Sequence, residues 1–142
     1  MNRIRPVTLD EFKLLIEYAQ THHSNLNEPI PQISESKYEK VNSCLETPFQ
    51  TFGGKYLYPG FYPKAAILFY LLNKNHALTN GNKRMACITL GFFCFKNKYD
   101  LQFSWESFYE ISKEVTNSDP AKMEVMVLAL QDTFKKFIPK LK

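Results

Sequence analysis

The stretch KNHALTNGNKRMA, residues 74–86, concentrates reactive and ionic side chains between two of the most apolar runs in the chain. It contains one histidine, three asparagines, two lysines and one arginine. The unperturbed pKa of histidine is about 6.5, so an imidazole such as that of His76 is a usable proton acceptor at neutral pH. A plain connector needs only a turn former and some polarity. The composition therefore indicates a site that binds a charged ligand and moves a proton.

The second half of this stretch favours an anion. Asn80 and Gly81 form a turn that permits a positive φ, and Asn82 would begin the following helix. First-turn N–H groups have no acceptor within their own helix, and the helix dipole there favours negative charge. Lys83 and Arg84 oppose that dipole unless an anion is bound. Taken singly, each feature is more often structural. Their combination predicts a phosphate site.

Two apolar segments must position these side chains. One predicted helix starts at Pro63 and runs to about Asn75, and the next runs from about Asn82 to Asn97. Both are apolar on nearly every face, which is typical of helices at the centre of a fold. Further helices are predicted at about 9–22, 36–46, 105–115 and 119–138, with a loop over 24–35. The fold class is therefore predicted to be all-α.

Short local patterns predict how the outer elements begin. Thr8 and Glu11 have the spacing of a capping box, and Ser36 and Glu39 repeat it. Between the outer and central helices, two aromatic-rich runs flank Gly53-Gly54. This pattern predicts a small β-hairpin with a tight turn over residues 49–58.

The bulk composition limits the class of protein. A chain of 142 residues with 44% apolar and 23% charged residues is expected to form one domain, residues 1–142. It has no apolar run of membrane-spanning length, so no membrane partner is expected. The net charge of +4 is spread out, without a basic stripe that would indicate direct binding to nucleic acid. Three cysteines without a C-x-x-C spacing are expected to be reduced and buried, as in a cytoplasmic protein.

The segment HALTNGNKR resembles the motif of the Fic/Doc family, H-x-F-x-(D/E)-(G/A)-N-(G/K)-R. Lys83 matches the Doc, or death-on-curing, branch, because the Fic branch has glycine there. The similarity extends over a core region, residues 56–100, which includes YPKAA and KNKYD. It implies a compact helical bundle with two central helices and a small β-hairpin flap. The flap, residues 49–58, would hold a target segment by strand pairing, through Thr51, Phe52, Gly53, Gly54, Lys55 and Tyr56.

The resemblance also implies a role for each residue of the motif. His76 would be the general base, and Lys83 and Arg84 would complete the catalytic set. Gly81, Asn82 and Lys83 would bind phosphate through their N–H groups, with Arg84 on the phosphate oxygens. The implied cofactors are ATP, or another nucleoside triphosphate, and Mg²⁺.

The chain departs from the family motif at two positions. Asn80 takes the place of the usual acidic metal ligand, so Mg²⁺ should bind more weakly there. Leu78 replaces the usual phenylalanine, and burial of either side chain would anchor the loop.

The function implied by the resemblance is that of a Doc-like toxin in a toxin–antitoxin system. Such a toxin transfers a phosphoryl group from a nucleotide to a Ser or Thr hydroxyl of a target protein and arrests translation. Elongation factor Tu is the candidate target, and a cognate antitoxin is the second expected partner. Two alternatives stay open, namely a Fic-type protein adenylyltransferase and a catalytically impaired binding module. Self-inhibition through Glu28 is a weaker hypothesis than inhibition by a separate antitoxin.

Overall fold

The computed structural model describes residues 3–21, 30, 32–75, 78 and 81–142. Its described part is helical apart from one short hairpin, which confirms the all-α prediction. Two 3₁₀ turns, Thr47–Phe49 and Pro120–Lys122, precede β1 and α6. The elements in chain order are α1 Leu9–Thr21, α2 Glu35–Glu46, β1 Thr51–Phe52, β2 Lys55–Tyr56, α3 Phe61–Lys74, α4 Asn82–Lys96, α5 Trp105–Asn117 and α6 Met123–Phe137.

Helices α3 and α4 form the centre of the bundle, as their all-round apolar sequences predicted. α3 packs against α2, α4, α5 and α6, and α4 also contacts α1 and α5. The two helices are antiparallel. Phe61, which begins α3, stacks on Tyr99, just beyond the end of α4, with 3.6 Å between ring centroids. Phe61 also stacks on Phe93 in the last turns of α4 at 5.2 Å. The end of α3 therefore lies beside the start of α4.

The capping predictions have opposite outcomes. At α1 the Thr8 backbone N–H donates to Glu11 Oε1 over 2.9 Å, and the Glu11 N–H donates to Thr8 Oγ1 over 3.1 Å, so the capping box is confirmed. The second prediction is wrong, because α2 begins at Glu35 and Ser36 lies inside its first turn. Extended backbone at Ser34, with ψ 159°, ends the loop earlier than the Ser36 pattern indicated.

α3 also begins earlier than predicted, at Phe61, two residues before Pro63. The proline still lies in the first turn, where its missing N–H costs no helical hydrogen bond.

The predicted hairpin is confirmed. Thr51 pairs with Tyr56 and Phe52 with Lys55, in an antiparallel register. Gly53 and Gly54 have φ values of 60° and 79°, the two positive values that a two-residue type I′ turn requires.

A buried lysine fastens this hairpin to α3. Lys64 is 2% exposed, and its ammonium donates to the Tyr58 carbonyl over 2.6 Å. The same ammonium lies 4.0 Å from the centroid of the Tyr56 ring, a cation–π contact. Burial lowers the pKa of Lys64. Because Lys64 belongs to the first turns of α3, it holds the hairpin at the end of the bundle where α3 begins.

The three cysteines, Cys44, Cys87 and Cys94, are buried free thiols. Burial raises the pKa of Cys44 to about 11 and those of Cys87 and Cys94 to about 12. These thiols are therefore protonated at neutral pH and act as small apolar core side chains. Within the described ranges, no helix is long and apolar enough to cross a membrane.

Candidate functional site

The candidate site is built on the first residues of α4. Gly81 is the N-cap, with φ 90° and ψ 12°, a left-handed conformation that glycine adopts at little cost. Its carbonyl accepts the first helical hydrogen bond, from the Met85 N–H at 2.9 Å. The positive φ predicted for the Asn-Gly turn is therefore present. It turns the chain sharply from the loop into the helix, whose first N–H groups have no acceptor within the helix itself.

The side chain of Asn82 holds the preceding loop in place. The Leu78 N–H donates to Asn82 Oδ1 over 3.0 Å, and Asn82 Nδ2 donates to the Leu78 carbonyl over 2.9 Å. Leu78 itself is 4% exposed, so it anchors the loop by burial as predicted. Both polar atoms of the Asn82 side chain are therefore used in hydrogen bonds within the protein. Only its backbone N–H is left to serve the predicted phosphate nest.

Replacing Asn82 with alanine is expected to loosen the loop and lower the stability. The change removes two hydrogen bonds and leaves the partly buried Leu78 amide and carbonyl without them. The free energy of unfolding should fall by about 2 kcal/mol, measured by urea denaturation. Asn82→Asp is the matched control, because it keeps the acceptor for the Leu78 N–H and should lose less. If both variants unfold like the wild type, the Asn82–Leu78 pairing contributes nothing to stability.

Two cations lie at this helix start. Lys83 is half-buried and makes no ion pair with any residue in the described part of the chain. Arg84 is also half-buried, and its Nη2 lies 3.4 Å from the position that a Cβ on Gly81 would occupy. The structure therefore brings Gly81, Lys83 and Arg84 together. Such a group of helix-start amides and cationic side chains can bind phosphate oxygens and neutralise their charge.

The other two predicted site residues, His76 and Asn80, lie outside the described residues. Their expected roles, as general base and as weak metal ligand, therefore stay predictions. Within the described ranges there is no group of three or more His, Cys, Asp or Glu side chains that could hold a metal ion.

A pocket next to Arg84 was missed by the sequence analysis. It has a volume of about 240 Å³ and is lined by Arg84, Trp105, Glu106, Tyr109 and Glu110. The Trp105 and Tyr109 rings are 6.5 Å apart and tilted by 35°, one helical turn apart at the start of α5. Trp105 is 47% exposed. The pocket thus combines two partly exposed rings and two carboxylates with the guanidinium of Arg84, and this combination is suited to a nucleoside.

One sequence signal pointed to this pocket. Trp105 is the single tryptophan of the chain and opens a strongly amphipathic helix directly after the cap Ser104. An aromatic residue at the exposed start of a helix is an indication of a binding surface. The sequence could not show, however, that α5 packs against α4 at Arg84.

The base of the hairpin predicted to dock a target, residues 49–58, packs toward the other end of α4. Phe49, at its base, lies 6.4 Å from Phe93 in ring-centroid distance. At about 1.5 Å per helical residue, Phe93 is about 18 Å along α4 from Gly81. The antiparallel packing of α3 and α4 causes this separation, because the hairpin leads into the start of α3. The docking role expected for Thr51, Phe52, Gly53, Gly54, Lys55 and Tyr56 stays a prediction.

A different segment contacts the start of α4. Ile30 is 4% exposed, and its Cγ1 lies only 2.7 Å from the position of a Cβ on Gly81. The sequence analysis assigned this residue to a plain loop. Residues 22–29, which include Glu28, lie outside the described residues, so the hypothesis of self-inhibition through Glu28 stays a prediction.

The fold places the glycine-capped start of α4, with its two cations, where two central antiparallel helices join. The chain belongs to the Fic/DOC family, whose family model matches residues 7–94. This membership indicates a transferase-type function that uses a nucleotide. Neither a search of curated proteins nor a search of solved structures returned a significant match.

Proposed function

We propose that this protein is a Doc-like toxin that transfers the γ-phosphoryl group of ATP to a Ser or Thr hydroxyl of a target protein. The observation that carries the proposal is Lys83 next to Arg84 at the glycine-capped start of α4. Lys83 occupies the position at which the Doc motif has lysine and the Fic motif has glycine. Its half-buried side chain has no ion pair within the described residues and is available to a phosphate.

Phosphoryl transfer depends mainly on positioning and on neutralising charge, and the chain supplies both. The N–H groups at the start of α4 and the Arg84 guanidinium would hold the transferred phosphate. Lys83 would neutralise the charge that develops in the transition state. His76 would take the proton from the target hydroxyl as the new bond to phosphorus forms. Mg²⁺, bound mostly through phosphate oxygens and water, would supply further positive charge.

The nucleoside is proposed to lie in the pocket beside Arg84. A base can stack on an aromatic ring such as Trp105, and ribose hydroxyls can donate to the carboxylates of Glu106 and Glu110. Because Trp105 is the single tryptophan, its fluorescence reports directly on occupancy of this pocket. Titration with ATP should quench it saturably, whereas inorganic triphosphate, which has no base, should not.

The experiment that tests the proposed reaction compares ATP labelled at the γ-phosphate with ATP labelled at the α-phosphate. Purified protein is incubated with each nucleotide, Mg²⁺ and a bacterial lysate, and labelled proteins are identified after acid precipitation. We expect label on a target protein from γ-labelled ATP alone. Label from the α-phosphate alone would show adenylylation instead. Transfer from neither would favour a binding module without catalysis.

A variant of Asn80 distinguishes an enzyme with a weak metal site from a binding module without catalysis. Asn80→Asp restores the family's acidic residue and adds a charged ligand for Mg²⁺. If metal binding limits the rate, the variant should transfer phosphate about tenfold faster at low Mg²⁺, and the gain should shrink as the Mg²⁺ concentration rises. The initial rate is measured over a Mg²⁺ titration, with Gln131→Glu in α6 as the control for an added charge. An unchanged rate at every Mg²⁺ concentration contradicts a limiting metal site.

In the cell, the proposed reaction would inactivate a component of translation, with elongation factor Tu as the first candidate to assay. An antitoxin protein would have to block the start of α4 while both proteins are made. Induced expression of the chain alone should stop growth, and co-expression of the protein encoded by the neighbouring reading frame should restore it. Growth arrest that persists with His76 replaced by alanine would point away from catalysis.

A further inference from the structure

Five cationic side chains line a single pocket at the far end of α4. The pocket has a volume of about 370 Å³, and no carboxylate is among its lining residues. Its cations, Arg3, Arg5, Lys96, Lys98 and Lys140, are five of the 18 Lys and Arg residues in the chain. We name these five residues and the space between them the basic pocket. The net positive charge of the protein is therefore concentrated at this end of α4.

Hydrogen bonds to the backbone join the three segments that supply these cations. The Arg5 N–H donates to Asn97 Oδ1 over 2.6 Å, and Asn97 Nδ2 returns a hydrogen bond of 3.0 Å to the Arg5 carbonyl. On the other side, the Leu141 N–H donates to the Lys98 carbonyl over 2.9 Å. An isolated β-bridge also joins Tyr99 to Lys140. The backbone positions of the basic pocket are therefore fixed by the fold, which reduces the cost of ordering them around a ligand.

Most of this charge is not neutralised by the protein. Lys96 pairs with Glu11 at 2.6 Å. As far as the described residues extend, Arg3, Arg5, Lys98 and Lys140 make no ion pair. The dipole at the end of α4 accounts for Lys96 and Lys98, but the remaining cations come from other segments. Their mutual repulsion is unfavourable without an anion among them.

The backbone at Lys98 adds a second observation. Lys98 has a φ of 62°, and within the described residues it is the one non-glycine residue with a positive φ. It follows the last turn of α4, and the Tyr99 N–H closes that turn by donating to the Cys94 carbonyl at 2.9 Å. Glycine is the usual residue at this position, because a side chain makes the left-handed conformation unfavourable. The chain therefore has an exposed lysine in the basic pocket at a position that glycine would fill more stably.

We propose that the basic pocket binds a small oligophosphate, an anion with two or three linked phosphate groups. Such an anion carries several negative charges within a few ångströms, which matches a pocket lined by cations from three segments of the chain. Arginine forks can bind its oxygens in pairs, and lysines can add single charged hydrogen bonds. A compact pocket suits this ligand better than it suits an extended acidic peptide. Lys96 lies about 22 Å along α4 from Gly81, so the basic pocket is distinct from the candidate site for transfer.

The probe is inorganic triphosphate, titrated by calorimetry against the full chain and four variants. Lys98→Ala/Lys140→Ala removes two pocket cations, and Lys135→Ala/Lys136→Ala removes the same charge from the exposed end of α6. We expect the pocket pair to weaken binding about a hundredfold, about tenfold for each charged hydrogen bond. The α6 pair should weaken it less than about threefold, through long-range charge alone. Arg84→Ala tests whether triphosphate binds at the start of α4 instead. The Arg84→Ala protein should bind triphosphate in the basic pocket with the affinity of the wild type.

Lys98→Gly, the fourth variant, controls for the possibility that a pocket variant loses binding only because it does not fold. Glycine relieves the left-handed strain, so this variant should melt at a higher temperature than the wild type and still bind triphosphate about tenfold more weakly. The proposal is overturned if the wild type does not bind triphosphate, or if Arg84→Ala rather than the pocket variants abolishes binding. Equal losses in the pocket pair and the α6 pair would also overturn it, because they would show unspecific attraction. So would binding of polyglutamate in place of triphosphate, which would identify an acidic protein as the ligand.

Discussion

Replacing His76 with alanine should lower the rate constant for phosphoryl transfer about 10²- to 10⁴-fold, the usual contribution of a positioned general base. The target hydroxyl must lose its proton as it attacks phosphorus, and no other neutral base occurs in residues 74–86. The binding of ATP should change little, because in the proposed mode the start of α4 would hold the phosphates. Single-turnover transfer of the γ-phosphate measures the rate, and quenching of Trp105 measures binding.

The pH dependence of transfer adds a second test of the base. Below the pKa of His76 the imidazole is protonated and cannot accept the hydroxyl proton. The wild-type rate should therefore fall as the pH decreases through the range in which the imidazole takes up a proton. The residual rate of His76→Ala should lack this fall. His22→Ala is the matched control, since it removes the same residue type outside the motif. Transfer by His76→Ala at the wild-type rate would exclude the histidine as the base.

The central architecture could be predicted from sequence because it depends on strong local signals. α3 and α4 are apolar on nearly every face, and a helix of this kind must be buried wherever it lies in the bundle. The Gly53-Gly54 turn and the Thr8 capping box are equally local, since every partner lies within a few residues. The Ser36 pattern failed for the same reason, because a neighbouring serine in extended backbone competed for the start of the helix.

The position of the hairpin could not be predicted locally. Its strands and turn follow from residues 49–58, but its place depends on the packing of α3 against α4. The antiparallel arrangement carries it to the end of α4 opposite to Gly81. Conversely, Ile30 gave no signal in the sequence, although it covers the turn at Gly81. Long-range packing decides such placements, and one sequence contains no direct record of it.

The two cationic regions, the start of α4 and the basic pocket, differ in how far the sequence alone could predict them. Lys83 and Arg84 adjoin in sequence and belong to a motif, so they could be assigned to a phosphate site at once. The basic pocket draws its cations from both ends of the chain and from the end of α4, and in sequence they resemble scattered surface charge. Only the pairing of Arg5 with Asn97 and of Lys98 with Leu141 brings them together.

The largest expected effect on stability comes from Gly81→Ala, which should lower the free energy of unfolding by about 3 kcal/mol. Part of the loss arises from a side chain at φ 90°, and part from a Cβ only 2.7 Å from Ile30 Cγ1. Gly91→Ala is the matched control in the same helix. Its new methyl meets no atom within 4 Å, so it should raise stability slightly. Both variants are measured by urea denaturation and by ATP quenching of Trp105.

A double-mutant cycle with Ile30→Ala separates the two causes. Alanine at position 30 removes Cγ1 and Cδ1, the two atoms nearest to the new methyl. The double variant should therefore be more stable than the sum of the single losses indicates, by about 1–2 kcal/mol, and the loss that remains is the strain of the left-handed backbone. We also expect Gly81→Ala to weaken ATP binding, because its methyl would take up space 3.4 Å from Arg84 Nη2, and the double variant should keep this defect. Additive losses together with normal ATP binding would mean that the contact of Ile30 with Gly81 does not shape the site. Recovery of stability without recovery of binding would instead separate the two roles of Gly81, one in folding and one in leaving room for a phosphate beside Arg84.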